Sequence, residues 1–299
     1  MKKSGSMFRL ISLLLVASLI ILGGCGGSDQ DSTNNMNDTL SSNQEDVVVE
    51  EFYQLPLPGE FFSSLRDLGV KSKPNLLNPT ENIASYTTSA EKAVNFGVYS
   101  SDLFYCSTFN LKTDILKYFD NLKRLADDLG ISSVVTQETI TRIEKNLSNK
   151  DSLNNITTKV FYDASAALEN SGQGSTLALV IAGGLTESIY LSTKLVSDYK
   201  DGSAAIQLIA DQKFPMDNLF AYFGKFPDDA NISQISGKIA PLQTVFNSLT
   251  ETAKDTMASK DGRKIIGSET LIMMNAEDYK KIIDKAAFVR NSLISKSSN

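Results

Sequence analysis

Apolar residues recur at offsets of three and four along most of the chain from residue 58 onward, which is the spacing of one face of an α-helix. Within 111–129, for example, Ile115, Tyr118, Leu122 and Leu125 share a face, and the charged residues of the segment lie elsewhere. The same pattern predicts helices over 59–69, 89–108, 136–147, 151–170, 175–199, 203–213, 215–224, 232–257 and 276–294. No internal repeat points to a solenoid. The pattern therefore predicts an all-α fold, an irregular multi-helix bundle.

Residues 263–274 depart from the helical pattern. Arg263 to Ile266 and Glu269 to Met274 are typical of two short strands, and Gly267-Ser268 between them is typical of a tight turn. We therefore expect a small β-hairpin near residues 263–274. Asn275, with Asp278 three residues later, then predicts the capped start of the final helix. By the same reasoning, Asp151 is the expected cap of helix 151–170.

An uncharged segment of 14 residues, 173–186, lies inside one predicted helix. Its length favours a buried core helix over a membrane span, which needs about 20 apolar residues. Gly183 and Gly184 lower helix stability relative to alanine, so we expect a close approach of a neighbouring backbone to offset that cost.

The beginning of the chain has the layout of a signal peptide. Lys2, Lys3 and Arg9 precede an apolar run from Leu10 to Leu22, which ends in Leu22-Gly23-Gly24-Cys25. These last four residues resemble the lipobox of bacterial lipoproteins, in which the cysteine receives lipid and the preceding signal is removed. The expected lipidation site is Cys25, with palmitate or a similar acyl chain. An ordinary secretory signal with a coincidental cysteine is the less favoured alternative.

Charge and composition describe the mature chain further. Loss of residues 1–24 would remove three basic residues and no acidic one, leaving 26 Lys and Arg against 35 Asp and Glu, a net charge of −9. Such a surface disfavours nucleic acid as a partner. Residues 26–50 contain no aromatic residue and are rich in Ser, Asn, Asp and Gln, which predicts a disordered tether. We therefore expect three parts: signal peptide 1–24, lipidated cysteine and tether 25–50, and helical domain 51–299.

The absence of histidine restricts the chemistry of the whole chain. It excludes Ser-His-Asp and Cys-His catalysis and any imidazole metal site. No P-loop or EF-hand pattern occurs, so no cofactor or metal is predicted. Cys106 is the only thiol left once Cys25 is lipidated, and its place in the apolar stripe of helix 89–108 favours a buried, inert thiol over a nucleophile.

Two carboxylates lie beside apolar helix faces. Asp102 lies three residues after Tyr99 on helix 89–108. Glu187 lies between Gly184 and Leu191, on the predicted helix that contains the uncharged segment. A buried carboxylate needs a cationic or hydrogen-bonding partner, or it takes up a proton. A structural ion pair or a partly exposed position is favoured over a catalytic role. If the two carboxylates converged, they could act as a pair in glycan hydrolysis, so Asp102 and Glu187 are the weak catalytic candidates.

Several segments carry a resemblance to a known family, among them LPLPGEFF (55–62), NLLNPTEN (75–82), KAVNFGVYSSDLFY (92–105), YFDNLKRLADDLGI (118–131), ALVIAGGLTESIYL (178–191) and IADQK (209–213). They resemble a family of Bacteroidetes-type lipoproteins to which no activity is assigned. The resemblance implies a Gram-negative envelope and a helical domain anchored by lipid to the outer membrane. Asp29 and Asp31 form only a weak version of a surface-export signal, so the periplasmic face and the cell surface both stay open.

These observations lead to two functional hypotheses. The first is a non-enzymatic envelope lipoprotein that binds a partner protein or small ligand through a helical surface. The second is a carboxylate-dependent hydrolase that acts on envelope glycans through Asp102 and Glu187. The separation of the two carboxylates, and their access to a shared cleft, discriminates between the hypotheses.

Overall fold

The structure, a computed structural model, describes residues 58–260 and 263–295, all of which belong to one compact unit. The predicted signal peptide, Cys25 and the tether lie outside the described residues. The helices are α1 (Pro58–Asp67), α2 (Ser89–Thr108), α3 (Lys112–Asp128), α4 (Gln137–Asn146), α5 (Lys150–Asn170), α6 (Gly174–Leu195), α7 (Ala204–Ala210), α8 (Lys213–Phe223), α9 (Ala230–Asn247) and α10 (Ala276–Ile294). Short 3-10 helices span Thr80–Ser85 and Ser132–Val134. The all-α prediction is confirmed.

The centre of the bundle is formed by α2 and α6, the pair of helices that packs most extensively. Further helices surround this pair, with α1, α3 and α5 against α2, and α10 and α8 against α6. Nearly every side chain of α2 and α6 is buried, polar ones included. Within the described residues, α6 is the one helix long and apolar enough to cross a membrane, and most of it is buried inside the bundle.

Glycines allow α2 and α6 to approach each other closely. A Cβ atom on Gly183 would lie 1.9 Å from the carbonyl oxygen of Val94, and one on Gly97 would lie 1.9 Å from the carbonyl oxygen of Val180. The predicted close approach is therefore confirmed at Gly183. At Gly184 the nearest atom would be 3.4 Å away, an ordinary contact, so the constraint there is weaker.

The two central helices run in the same direction. Gly183 meets Val94, Gly184 meets Gly97, and one turn further along both helices the hydroxyls of Ser188 and Ser101 are 2.8 Å apart. The next residue after Ser101 is Asp102, and the residue before Ser188 is Glu187. This crossing therefore brings together the two carboxylates that the sequence leaves unconnected.

The predicted hairpin exists, but its extent and its turn were wrong. Strand β1 spans Thr250–Lys260 and pairs antiparallel with β2, Arg263–Met273, so α9 ends at Asn247 and not near residue 257. Gly267 lies within β2, opposite Thr256, and forms no turn. Ser248 and Leu249 end the helix, and the Thr-rich segment after them enters the strand. Because β1 carries no alternating apolar pattern, periodicity alone did not reveal it.

Helix ends follow local chemistry at most positions. Asn275 caps α10 and forms the predicted capping box with Asp278. The predicted cap at Asp151 was wrong. The cap is Asn149, whose side chain accepts from the backbone N–H of Ser152, and α5 begins at the next residue, Lys150. Gly130, at a φ of 76°, follows the end of α3 in the left-handed backbone conformation that favours glycine.

Candidate functional site

A cluster of buried charges lies where α2, α6 and α10 meet. Asp102 of α2 and Glu187 of α6 are both 0% exposed, and they are close enough for each carboxyl to shift the pKa of the other. The convergence on which the hydrolase hypothesis depends is therefore present. The parallel crossing of α2 and α6 produces it, because Asp102 and Glu187 adjoin the paired Ser101 and Ser188.

Arg290 of α10 supplies the positive charge. Its Nε donates to Oε2 of Glu187 at 2.8 Å and its Nη2 donates to Oε1 at 3.1 Å, a two-pronged contact that holds the carboxylate in one plane. The guanidinium lies 4.6 Å from the centre of the Tyr190 ring, and Nη2 also reaches the carbonyl oxygen of Leu76 at 3.4 Å. The ion-pair interpretation of Glu187 is thus confirmed.

The segment before the first 3-10 helix is the fourth part of the chain that contacts the cluster, beside α2, α6 and α10. The backbone N–H of Asn78 donates to Oδ2 of Asp102 at 3.2 Å, and the Asn78 side chain donates to the hydroxyl of Tyr86 at 3.0 Å. The Tyr118 hydroxyl donates to the Asn78 carbonyl oxygen at 2.9 Å, and the Tyr99 hydroxyl to that of Pro79 at 2.9 Å. These contacts fix the segment against α2 and α3.

Burial shifts the protonation of both carboxyls. Burial raises the pKa of Asp102 well above its ordinary value, and the nearby charge of Glu187 raises it further, against the opposing effects of Arg290 and the Asn78 N–H. The pKa of Glu187 is also raised by burial, but the Arg290 guanidinium opposes that effect through both charge and hydrogen bonds. Arg290 therefore favours the charged form of Glu187 more strongly than that of Asp102, so Asp102 is the carboxyl favoured to be neutral.

The hydrogen bonds of Asp102 are incomplete if it is a carboxylate. Its Oδ1 atom is buried and accepts no hydrogen bond from any donor in the described part of the chain. An unsatisfied buried oxygen of this kind costs free energy. A proton on Oδ1 would remove the deficit, because the resulting hydroxyl can donate to the neighbouring carboxylate.

Access to the pair is restricted. Both carboxyls are completely buried, and the two surface cavities described next are lined by other residues. The shared cleft that hydrolysis needs is thus not observed among the described residues.

One cavity, of about 450 Å³, lies between the end of α1 and α7. Leu68, Ala204 and Leu208 form its apolar part, and Asp67 and Asp211 stand at its margin. Leu68 is 49% exposed. We call this cavity the α1–α7 groove.

The second cavity, of about 360 Å³, lies between α3 and the first 3-10 helix. Its charged lining residues are Glu81, Lys117, Asp120 and Arg124, so both signs of charge are present in equal number. It therefore shows no preference for a ligand of either charge.

Cys106 lies within α2 and is completely buried as a free thiol, as the sequence predicts. Burial raises the pKa of this thiol well above its ordinary value. Since the thiolate is the reactive form, the side chain is unsuited to nucleophilic chemistry in the folded state.

Arg290 is the functional residue that the sequence analysis missed. The signal was present, because Ile282, Ala286 and Leu293 place Arg290 on the buried stripe of α10 at offsets of three and four. A charged residue on an apolar helix face requires a buried partner, and Glu187 is that partner.

No family model, curated protein or solved structure matches the chain.

Proposed function

We propose that the protein is a lipid-anchored envelope lipoprotein whose helical domain binds a partner protein and catalyses no reaction. The anchor part of the proposal depends on the signal-like start, on the lipobox resemblance at Cys25 and on the acidic, tether-like segment after it. The likeness to Bacteroidetes-type lipoproteins supports the outer membrane as the location. Two or more acyl chains would hold the chain stably at a membrane.

The α1–α7 groove is the observation that carries the binding role. Its apolar lining, formed by Leu68, Ala204 and Leu208, is continuous across the groove, and a contiguous apolar surface of this kind is a candidate binding surface for another protein. In contrast, the titratable groups with strongly raised pKa, Asp102 and Cys106, are sealed in the core. The accessible chemistry of the described surface thus favours recognition over catalysis.

Charge at the margin of the groove suggests what the partner presents. Asp67 and Asp211 are the acidic residues that line the groove, although Oδ1 of Asp211 already accepts from the Gln207 side chain at 2.8 Å, and the mature chain has a net charge of −9. Arg66 pairs with Asp67, whose side chain is 68% exposed, so this carboxylate can also be reached by a cation of the partner. We propose that the partner inserts an apolar side chain flanked by lysine or arginine residues.

A charge placed in the groove tests the proposal. Leu68→Lys should fold normally, because the side chain is half-exposed, but it should repel the basic partner. Tyr162→Lys is the matched control, since Tyr162 is an apolar side chain 56% exposed on α5, outside the groove. Crosslinking of the tagged mature chain in intact cells would first identify a partner. The purified partner is then titrated against the wild-type chain, Leu68→Lys and Tyr162→Lys. We expect at least a tenfold loss of affinity for Leu68→Lys only. Equal affinity for all three proteins would refute the role of the groove.

Glycan hydrolysis by Asp102 and Glu187 is the second candidate, and the convergence of the two carboxyls favours it. It would require α10 to move, because Arg290 occupies Glu187 and no sugar can reach a completely buried pair. Release of soluble fragments from purified cell-wall glycan by the mature chain, lost in Glu187→Gln, would support it. No release above a catalyst-free control would remove it.

A further inference from the structure

We infer that the Asp102–Glu187 pair is a binding site for one proton, held between the two carboxyls in the folded protein. The hydroxyl hydrogen sits on Oδ1 of Asp102 and is donated to the Glu187 carboxylate. The proton comes from solvent when the chain folds and returns to solvent when it unfolds.

The arrangement of the pair favours a proton at this position. Both carboxyls are completely buried, and two ionised carboxylates cannot hydrogen-bond to each other, whereas a hydrogen bond between these two carboxyls contributes to the shifted pKa of each. Oδ2 of Asp102 accepts from the N–H of Asn78, and both oxygens of Glu187 accept from Arg290. Oδ1 is therefore the atom left to carry the hydrogen, and its lack of any other partner in the described chain agrees with this assignment.

Charge balance gives the same result. A buried cation and one buried anion neutralise each other, whereas a second anion would be uncompensated, which is costly in a low-dielectric site. Across the helices and the segment that enclose Asp102, Arg290 is the one cation that the structure places against it. The other titratable groups around it are neutral or acidic: Tyr86, Tyr99, Tyr105, Cys106, Tyr118, Glu187 and Tyr190.

The proton links pH to the packing of α10. With the proton bound, Glu187 is the one anion paired with Arg290, and this pair holds α10 against α6. The Asn95 side chain, which donates to the Leu293 carbonyl oxygen, holds α10 against α2. Loss of the proton at high pH would place two negative charges opposite one guanidinium and weaken this packing. Between the ordinary carboxyl pKa and the raised pKa of Asp102, the unfolded chain has given up this proton and the folded chain still holds it, so the folded protein loses stability as pH rises through that range.

The test compares the mature chain with Asp102→Asn, which keeps a hydrogen-bond donor but cannot ionise. Because the native wild-type chain holds one proton more than the unfolded chain, its unfolding equilibrium constant, relative to that of Asp102→Asn, should rise about tenfold per pH unit above about pH 4. The control Asp120→Asn removes an exposed carboxylate on α3 and should keep the wild-type slope. Equal pH slopes for wild type and Asp102→Asn would overturn the inference.

Two measurements decide the matter even if Asp102→Asn does not fold. The infrared spectrum of the native wild-type chain at pH 7 should contain the C=O stretching band of a protonated carboxylic acid. Refolding in weak buffer at pH 7 should take up about one proton per chain, and no histidine is present to supply a competing signal. Absence of the band together with no uptake would contradict the inference.

Discussion

Alanine substitutions at Gly183 and Gly184 should change stability in opposite directions, although the two glycines are adjacent in α6. At Gly183 the added Cβ would lie 1.9 Å from the carbonyl oxygen of Val94, a backbone atom that can move only if α2 moves. Overpacking costs up to about 3 kcal/mol, and occasionally more, whereas alanine gains only about 1 kcal/mol in helix propensity. We therefore expect Gly183→Ala to lose about 2 kcal/mol or more.

At Gly184 the nearest atom to the added Cβ would be 3.4 Å away, an ordinary van der Waals contact. The propensity gain then remains, and Gly184→Ala should be stabilised by as much as about 1 kcal/mol. Gly97→Ala, which meets Val180 at 1.9 Å, should behave like Gly183→Ala.

Urea unfolding followed by circular dichroism measures all three variants, and the chain has no tryptophan to complicate tyrosine fluorescence as a second probe. If Gly183→Ala were as stable as wild type, or if Gly184→Ala lost as much as Gly183→Ala, the close crossing of α2 and α6 would be wrong. The placement of Asp102 beside Glu187 would then lose its structural basis.

Three further changes test other parts of the structure. Glu187→Gln removes the carboxylate that pairs with the buried Arg290 and should lose about 3–5 kcal/mol of unfolding free energy. The control Asp163→Asn breaks an exposed pair with Lys159 and should lose less than about 1 kcal/mol. Similar losses for the two variants would mean that the buried ion pair is absent. Asn275→Ala removes the cap of α10 and should lose about 1 kcal/mol of unfolding free energy. The control Asn291→Ala changes an exposed residue inside the same helix and should leave stability unchanged. A larger loss for Asn291→Ala than for Asn275→Ala would contradict the capping box. Cys106 should resist thiol reagents in the native chain and react in urea, so rapid native labelling would show that the thiol is accessible.

Much of the helical architecture could be predicted because it is local. Amphipathic spacing gave the positions of α2, α3, α5 and α6 to within a few residues, and the cap of α10 could be identified from Asn275 and Asp278 alone. The exception was β1, whose residues do not alternate between apolar and polar and which is separated from the end of α9 by only two residues. Strand pairing with β2 specifies this segment, and pairing is not a property of the segment itself.

The candidate site could be predicted only in part. The two carboxylates could be singled out, because each lies beside an apolar helix face, and a buried ion pair could be anticipated for Glu187. Their meeting could not, because it depends on the register in which Gly97 meets Gly183 and Gly184 across two separate helices. Arg290 belongs to a third helix, so the balance of charge in the cluster is a tertiary property too.

The central claim of the proposed function is that lipid on Cys25 anchors this helical domain in the envelope. Metabolic labelling with radioactive palmitate, followed by membrane fractionation, tests it directly in cells that produce either the parent chain or Cys25→Ser. We predict a labelled, membrane-retained parent and an unlabelled Cys25→Ser chain whose signal peptide is not removed at the normal site. An unlabelled parent, with Cys25→Ser matured and retained in the membrane just as the parent is, would contradict the claim.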